Sequence, residues 1–337
     1  MLSVAVMLAC AAFAWPASAA AAPAQAAVVA AAPATTAAAP SRWIAVSVAT
    51  LWVRPGLVRP VDAAAVAAPA DPRAWIAGMT TAQKRWLVGR LETQALYGTR
   101  VTLLATSGAW SKVAVPGQPT PRDSRGYPGW VPTRQLSAVR PVTGRGQAVI
   151  RRPTAWAWET PALTGRVLEL SYGTRLPATG WTPTSVEIAM LDGRRLYLKR
   201  AAVALRSRDA LWPQPTGAQL AASARRFLGL QYLWAGTSGF GFDCSGFACL
   251  VYRALGVTIP RDAAPQSSEG VKVARGSLRA GDLVFFRSST GQIHHVAMYV
   301  GSGRMIHAPA TGLPVSIVSL SAEPYSREFA GGRRYVP

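Results

Sequence analysis

Gly241-Phe242-Asp243-Cys244-Ser245-Gly246 decides the reading of this chain. A cysteine stands between an acid and a serine, with a glycine two residues on. The apolar run Phe247 to Leu255 follows and reads as a helix that starts at the cysteine. All three histidines, His294, His295 and His307, lie downstream. A thiol at the start of a helix, with imidazoles supplied by later strands, is the layout of a cysteine nucleophile and its base. The helix end offers unpaired N–H groups and partial positive charge, which favour the reactive thiolate. Cys249, between Ala248 and Leu250, has only an apolar context and reads as core packing.

The register of the histidines follows from alternation. His295 to Val300 and Arg304 to Ala308 each read as a strand, with Gly301-Ser302-Gly303 between them. A three-residue loop pairs Val300 with Arg304 and sets His307 opposite Ala297. His307 is then a diagonal neighbour of His295 on one face. An even loop would put the two on opposite faces. His294 points the other way and reads as a surface residue. In this reading His295 is the base and His307 orients it. The Cys244 backbone N–H and the Tyr232 hydroxyl are candidates to stabilise an oxyanion. Asp243 and Ser245 are expected to line the groove and bind substrate.

At these residues the chain resembles the NlpC/P60 cell-wall cysteine peptidases. The matching stretches are Gln231-Tyr232-Leu233-Trp234-Ala235-Gly236, Gly241 to Phe247, Arg279-Ala280-Gly281-Asp282-Leu283-Val284-Phe285-Phe286, His295 to Gly301, and Met305-Ile306-His307-Ala308. Together they cover about residues 217–337. Ala235 and Ala280 depart from the family's usual glycine and proline. The resemblance implies an α+β, papain-like peptidase domain. It also implies the bond cut, between γ-D-glutamate and a diamino acid in bacterial wall peptides.

The N-terminal half resembles a narrower subgroup, murein-peptide endopeptidases with two bacterial SH3-type modules before the peptidase. The matching pieces are Arg90 to Gly98 and Arg122-Asp123-Ser124-Arg125-Gly126-Tyr127-Pro128-Gly129-Trp130. Carried over by position, the resemblance implies that Glu92, Tyr127 and Asp262 hold the free amine of an N-terminal L-alanine. The chemistry is consistent: a buried ammonium needs anionic partners, and an acylated amine would leave them unpaired.

Short strands and Gly/Pro turns over residues 42–208 fit two all-β, SH3-like barrels, 42–140 and 141–208, ahead of a peptidase domain at 209–337. Trp43 to Trp52 alternates as one strand. Tyr97-Gly98-Thr99-Arg100 recurs as Tyr172-Gly173-Thr174-Arg175, each followed by a strand, an Ala-Thr pair and a tryptophan, Trp110 or Trp181. A repeat of this kind points to duplicated modules. The first copy carries an insertion from about Pro60 to Arg90, in which Thr80 caps a short helix running to Leu87.

The first forty residues carry no charge. Met1 to Trp15 is apolar, and Ala17-Ser18-Ala19 suits cleavage, so 1–19 reads as a signal peptide and 20–41 as an Ala/Pro-rich linker. Cleavage near Ala19 removes Cys10. Export is therefore expected, to the periplasm or the cell wall, with no membrane span after cleavage. Cys244 and Cys249 sit five residues apart on one helix, about 8–9 Å between Cα atoms, too far for a disulfide. The chain carries a net charge of +21, of which +16 falls in residues 1–208. Such a surface attracts polyanions, here anionic envelope polymers. Nucleic acid is not expected, because no groove-reading motif is present. No cofactor or metal is implied, and a monomer is expected. Two readings stay beside murein-peptide hydrolysis. One is action on intact peptidoglycan; the other is a papain-like amidase or acyltransferase acting on another amide or lipid.

Overall fold

The computed structural model describes residues 39–207 and 213–337. The signal segment and nearly all of the linker lie outside the described residues. The described residues form one compact unit with two seven-stranded sheets, one six-stranded sheet and a short two-stranded one.

The first sheet holds seven strands between Ser41 and Ser137, and the second holds seven between Gly146 and Ser207. Numbered from its own first strand, each has the order 3-2-6-5-4-1-7. The sequence repeat is therefore a duplication of whole modules. In each copy the Tyr-Gly-Thr turn leads into the fourth strand, Arg100–Ser107 or Arg175–Trp181. Its glycine takes φ +74 at Gly98 and φ +78 at Gly173, a conformation that favours glycine. The tryptophans are not equivalent, however. Trp110 opens the fifth strand of its module, whereas Trp181 closes the fourth strand of the other and is half exposed.

The segment Trp43–Trp52 is two strands, Ser41–Ile44 and Val48–Trp52, where alternation predicts one. The break lets the chain change neighbours. Trp43 pairs with Arg100, but Val48 pairs with Leu96. Val48–Trp52 is buried at every position, because the inserted segment covers the face that the barrel core leaves open. In that insert the helix Thr81–Trp86 is capped by Thr80, with Gln83 returning the contact to the Thr80 N–H.

The C-terminal domain is a six-stranded antiparallel sheet packed against the helix Cys244–Ala254. Its core is aromatic: Phe227 meets Phe242 edge-on at 4.9 Å and Tyr172, from the second module, at 5.1 Å. The second module docks closely. A Cβ at Gly239 would lie 1.8 Å from the Pro153 carbonyl oxygen, so only glycine fits there.

Candidate active site

Cys244 is the first residue of its helix, and Asp243 is the N-cap, accepting the Gly246 N–H at 2.6 Å. Gly246 is required by packing: a Cβ there would meet the Gly236 carbonyl oxygen at 2.1 Å. That segment, a turn between Tyr232 and Thr237, brings Tyr232 and Ala235 beside the helix start. Ala235 takes φ +59, the left-handed conformation that a glycine adopts at less cost.

His295, on the strand Ile293–Gly301, and His307, at the end of Arg304–His307, meet as expected. Nε2 of His295 lies 2.9 Å from Nδ1 of His307. Met298 pairs with Ile306 and Tyr299 with Met305, the register the sequence implies. The route differs from a three-residue loop. The turn is two residues, Ser302 and Gly303, both at positive φ, and a bulge at Val300 supplies the extra residue. His294 faces away and pairs with Glu328 at 3.1 Å.

The histidine pair is walled by Phe286 and Tyr325, whose rings lie 5.7 Å from His295 and 5.2 Å from His307. Burial holds both imidazoles well below the ordinary value, His307 adding to the effect on His295. Cys244 is half-buried. Burial first, and then the Asp243 carboxylate, push its thiol up to about 12, while the Val296 and Ser245 N–H groups and Arg261 pull it down. The net direction is opposite to the lowering expected from the helix start. The backbone donors are present, but desolvation and the capping acid outweigh them. The thiol is shifted up and both imidazoles are shifted down, so each shift favours the neutral form. His295 meets His307 through Nε2.

Tyr232 is buried, and among the described residues its hydroxyl makes no hydrogen bond; burial raises its pKa, followed by the charges of Asp243 and Cys244. A neutral phenol near the thiol is an available donor.

Asp243 and Ser245 do not face a groove as free groups. Arg261 grips Asp243 with both terminal nitrogens, at 2.7 and 3.1 Å, and donates to Ser245 Oγ at 2.9 Å. Its Nε donates to Thr93 of the first module at 2.9 Å. Arg261 is 1 % exposed and makes four side-chain hydrogen bonds, so the acid and the serine fix the helix start. The sequence reading missed Arg261, although it adjoins Asp262; a buried arginine carries no signal in sequence.

Glu92, Tyr127 and Asp262 do converge, from two domains. The Tyr127 hydroxyl donates to Asp262 at 3.0 Å. Arg122, also unforeseen, donates to Glu92 at 2.8 Å and to the Tyr127 oxygen at 3.2 Å. Burial raises the Asp262 carboxyl, opposed by Arg261 and the Tyr127 hydrogen bond. Cys249 is buried against the Ile259 carbonyl, and both described cysteines are free. Among the described residues no cluster of His, Cys, Asp or Glu could hold a metal ion, and no helix is long and apolar enough to cross a membrane.

The model of the NlpC/P60 family matches residues 229–334, and that of the bacterial dipeptidyl-peptidase SH3 domain matches 88–136. A gamma-D-glutamyl-L-lysine dipeptidyl-peptidase of Bacillus cereus is 43% identical over 302 residues, which are 87% of this chain and 90% of that protein. The chain belongs to the NlpC/P60 family. It is a cysteine peptidase, with an SH3-like β-rich region ahead of its NlpC/P60 domain. A second NlpC/P60 relative, the enzyme of the same name from Bacillus subtilis, is 35% identical and covers 86% of this chain and 96% of its own. The crystal structure of an NlpC/P60 protein from Bacillus cereus matches at TM-score 0.83 and 42% identity, over 88% of this chain and all of that one.

Proposed function

We propose that this protein hydrolyses the γ-D-glutamyl–diamino acid bond of murein peptides that carry a free N-terminal L-alanine, after export from the cytoplasm. The carrying observation is the joining of two groups of residues. Cys244, His295 and His307 form one, and Glu92, Tyr127 and Asp262 the other, linked through Asp243 and Arg261. A nucleophile beside an anionic pocket suits a substrate whose cleaved bond lies a short, fixed distance from an ammonium. The names of the relatives at 43% and 35% identity support the same reading.

The reaction follows from these groups. Cys244 attacks the γ-carbonyl carbon as its proton passes to His295. His307 holds the ring in the required orientation. The Cys244 N–H and the Tyr232 hydroxyl donate to the developing oxyanion. Collapse breaks the amide bond, and His295 returns its proton to the leaving amine of the diamino acid. Water, activated by His295, then cleaves the thioester and releases the dipeptide.

The test is a substrate panel. L-Ala-γ-D-Glu-L-Lys and its diaminopimelate counterpart are supplied free and N-acetylated, with purified sacculi alongside, and released dipeptide is measured by mass spectrometry. Turnover of the free peptides at least about a hundredfold above the acetylated ones is expected, from two charged hydrogen bonds of roughly 1.5–3 kcal/mol each. Equal turnover would defeat the amine requirement, and ready lysis of sacculi would favour action on intact wall.

A further inference from the structure

The amine pocket already holds a cation. Arg122 makes two hydrogen bonds to the Glu92 carboxylate and one to the Tyr127 hydroxyl, and its guanidinium carbon lies 5.3 Å from the centre of the Tyr127 ring. Carboxylate, hydroxyl and aromatic face are the groups an ammonium would use there. We propose that Arg122 is a specificity-setting residue: it occupies the Glu92 side of the amine subsite, and the substrate's ammonium must displace it to bind. This rests on the function proposed above.

The two arginines of the region differ in what they can do. Arg261 is buried, with four hydrogen bonds to three residues, Thr93, Asp243 and Ser245, and cannot leave. The Arg122 side chain is 45 % exposed and hangs from the loop between the strands Trp110–Val115 and Tyr127–Pro132, whereas that of Glu92 is 13 % exposed. An ion pair with one partner at the surface is weak enough for a ligand to break. An ammonium entering beside a retained guanidinium would meet a like charge and a carboxylate whose oxygens are both taken. With no substrate bound, the same arginine relieves repulsion between Glu92 and Asp262, which approach Tyr127 from two domains. The latch weakens binding of every peptide, but only a cationic terminus replaces the contacts it gives up. Neutral termini gain nothing in return, so discrimination is kept.

The experiment measures KM and kcat on free and N-acetylated L-Ala-γ-D-Glu-L-Lys. The enzymes are the unaltered protein, Arg122→Leu, Arg122→Lys, Glu92→Gln and the Arg122→Leu/Glu92→Gln double variant. Arg122→Leu should lower KM for the free peptide about tenfold, with the change in KM rather than kcat. Arg122→Lys, which keeps the charge but not the paired hydrogen bonds, should fall between. The gain should vanish in the double variant, because the vacated carboxylate is what the ammonium uses. An unchanged or raised KM in Arg122→Leu overturns the proposal, as does a gain that survives Glu92→Gln. Failure of the underlying reading shows separately, as equal turnover of free and acetylated peptide by the unaltered protein.

Discussion

At the scale of single residues the proposed chemistry rests on a thiol that burial shifts up and an imidazole that burial shifts down. Cys244→Ala should lower kcat at least about a thousandfold with the fold intact, while Cys249→Ala should retain most activity. A peptide-release assay with circular dichroism decides this, and substantial turnover by Cys244→Ala would remove the sulfur from the mechanism. The histidines add a pH dependence of stability. Both folded-state values lie below the unfolded value of 6.5, so the unfolded chain binds more protons in mild acid. Their contribution is complete above pH 6.5 and is lost as pH falls from there toward the folded values. Melting temperatures should therefore drop between about pH 6.5 and 4.5, and His307→Asn should flatten part of that slope. A slope unchanged in His307→Asn would place the effect elsewhere.

At the scale of elements, the start of the catalytic helix is held by one buried ion pair. Asp243 caps the helix and is clamped by Arg261, which also reaches Ser245 and Thr93. Breaking such a pair strands the surviving charge in the interior, at about 3–5 kcal/mol. Arg261→Met and Asp243→Asn should each destabilise by that amount in urea titrations. The double variant should lose clearly less than the sum, since neither charge is left alone. Strict additivity would mean that the two side chains stabilise the domain independently. This element also marks how far sequence could see. The helix start at Cys244, the histidine register and the insert's Thr80 cap are legible because each is set by local spacing. The bulge at Val300 is not, because alternation counts residues between faces and cannot tell a three-residue loop from a two-residue turn with a bulge. Arg261 and Arg122 were invisible for a related reason. Their roles come from partners 16 to 168 and 5 to 30 residues away, and a lone arginine in sequence reads as solvated surface.

At the scale of the molecule, the duplicated modules are joined to their neighbours by the same repeated tyrosine. Tyr97 accepts the Leu191 N–H of the second module at 2.7 Å, and Tyr172 bonds Ser223 of the peptidase domain. One motif thus serves as two joints. The first module also touches the peptidase directly. Gln94 accepts from the Thr237 N–H at 3.1 Å and the Ser238 hydroxyl at 2.9 Å, while donating to Thr50 at 3.2 Å, all of them buried. These strands are neighbours of Glu92 and of the catalytic helix, so a loosened joint should disturb the amine pocket and the nucleophile together. Gln94→Ala strands two buried donors at about 1–3 kcal/mol each. For a chain of this size each kcal/mol moves the melting temperature by roughly 2–4 °C. We therefore expect Gln94→Ala to lower the melting temperature by about 4–24 °C in a single transition, with kcat/KM on free-amine peptides falling in parallel. Tyr97→Phe, which removes one acceptor at the joint between the two β modules, should shift melting by less and leave kcat/KM nearly unchanged. If Gln94→Ala moved melting by under about 2 °C, or split it into two transitions, the first module would be a separately folding attachment rather than part of the catalytic unit.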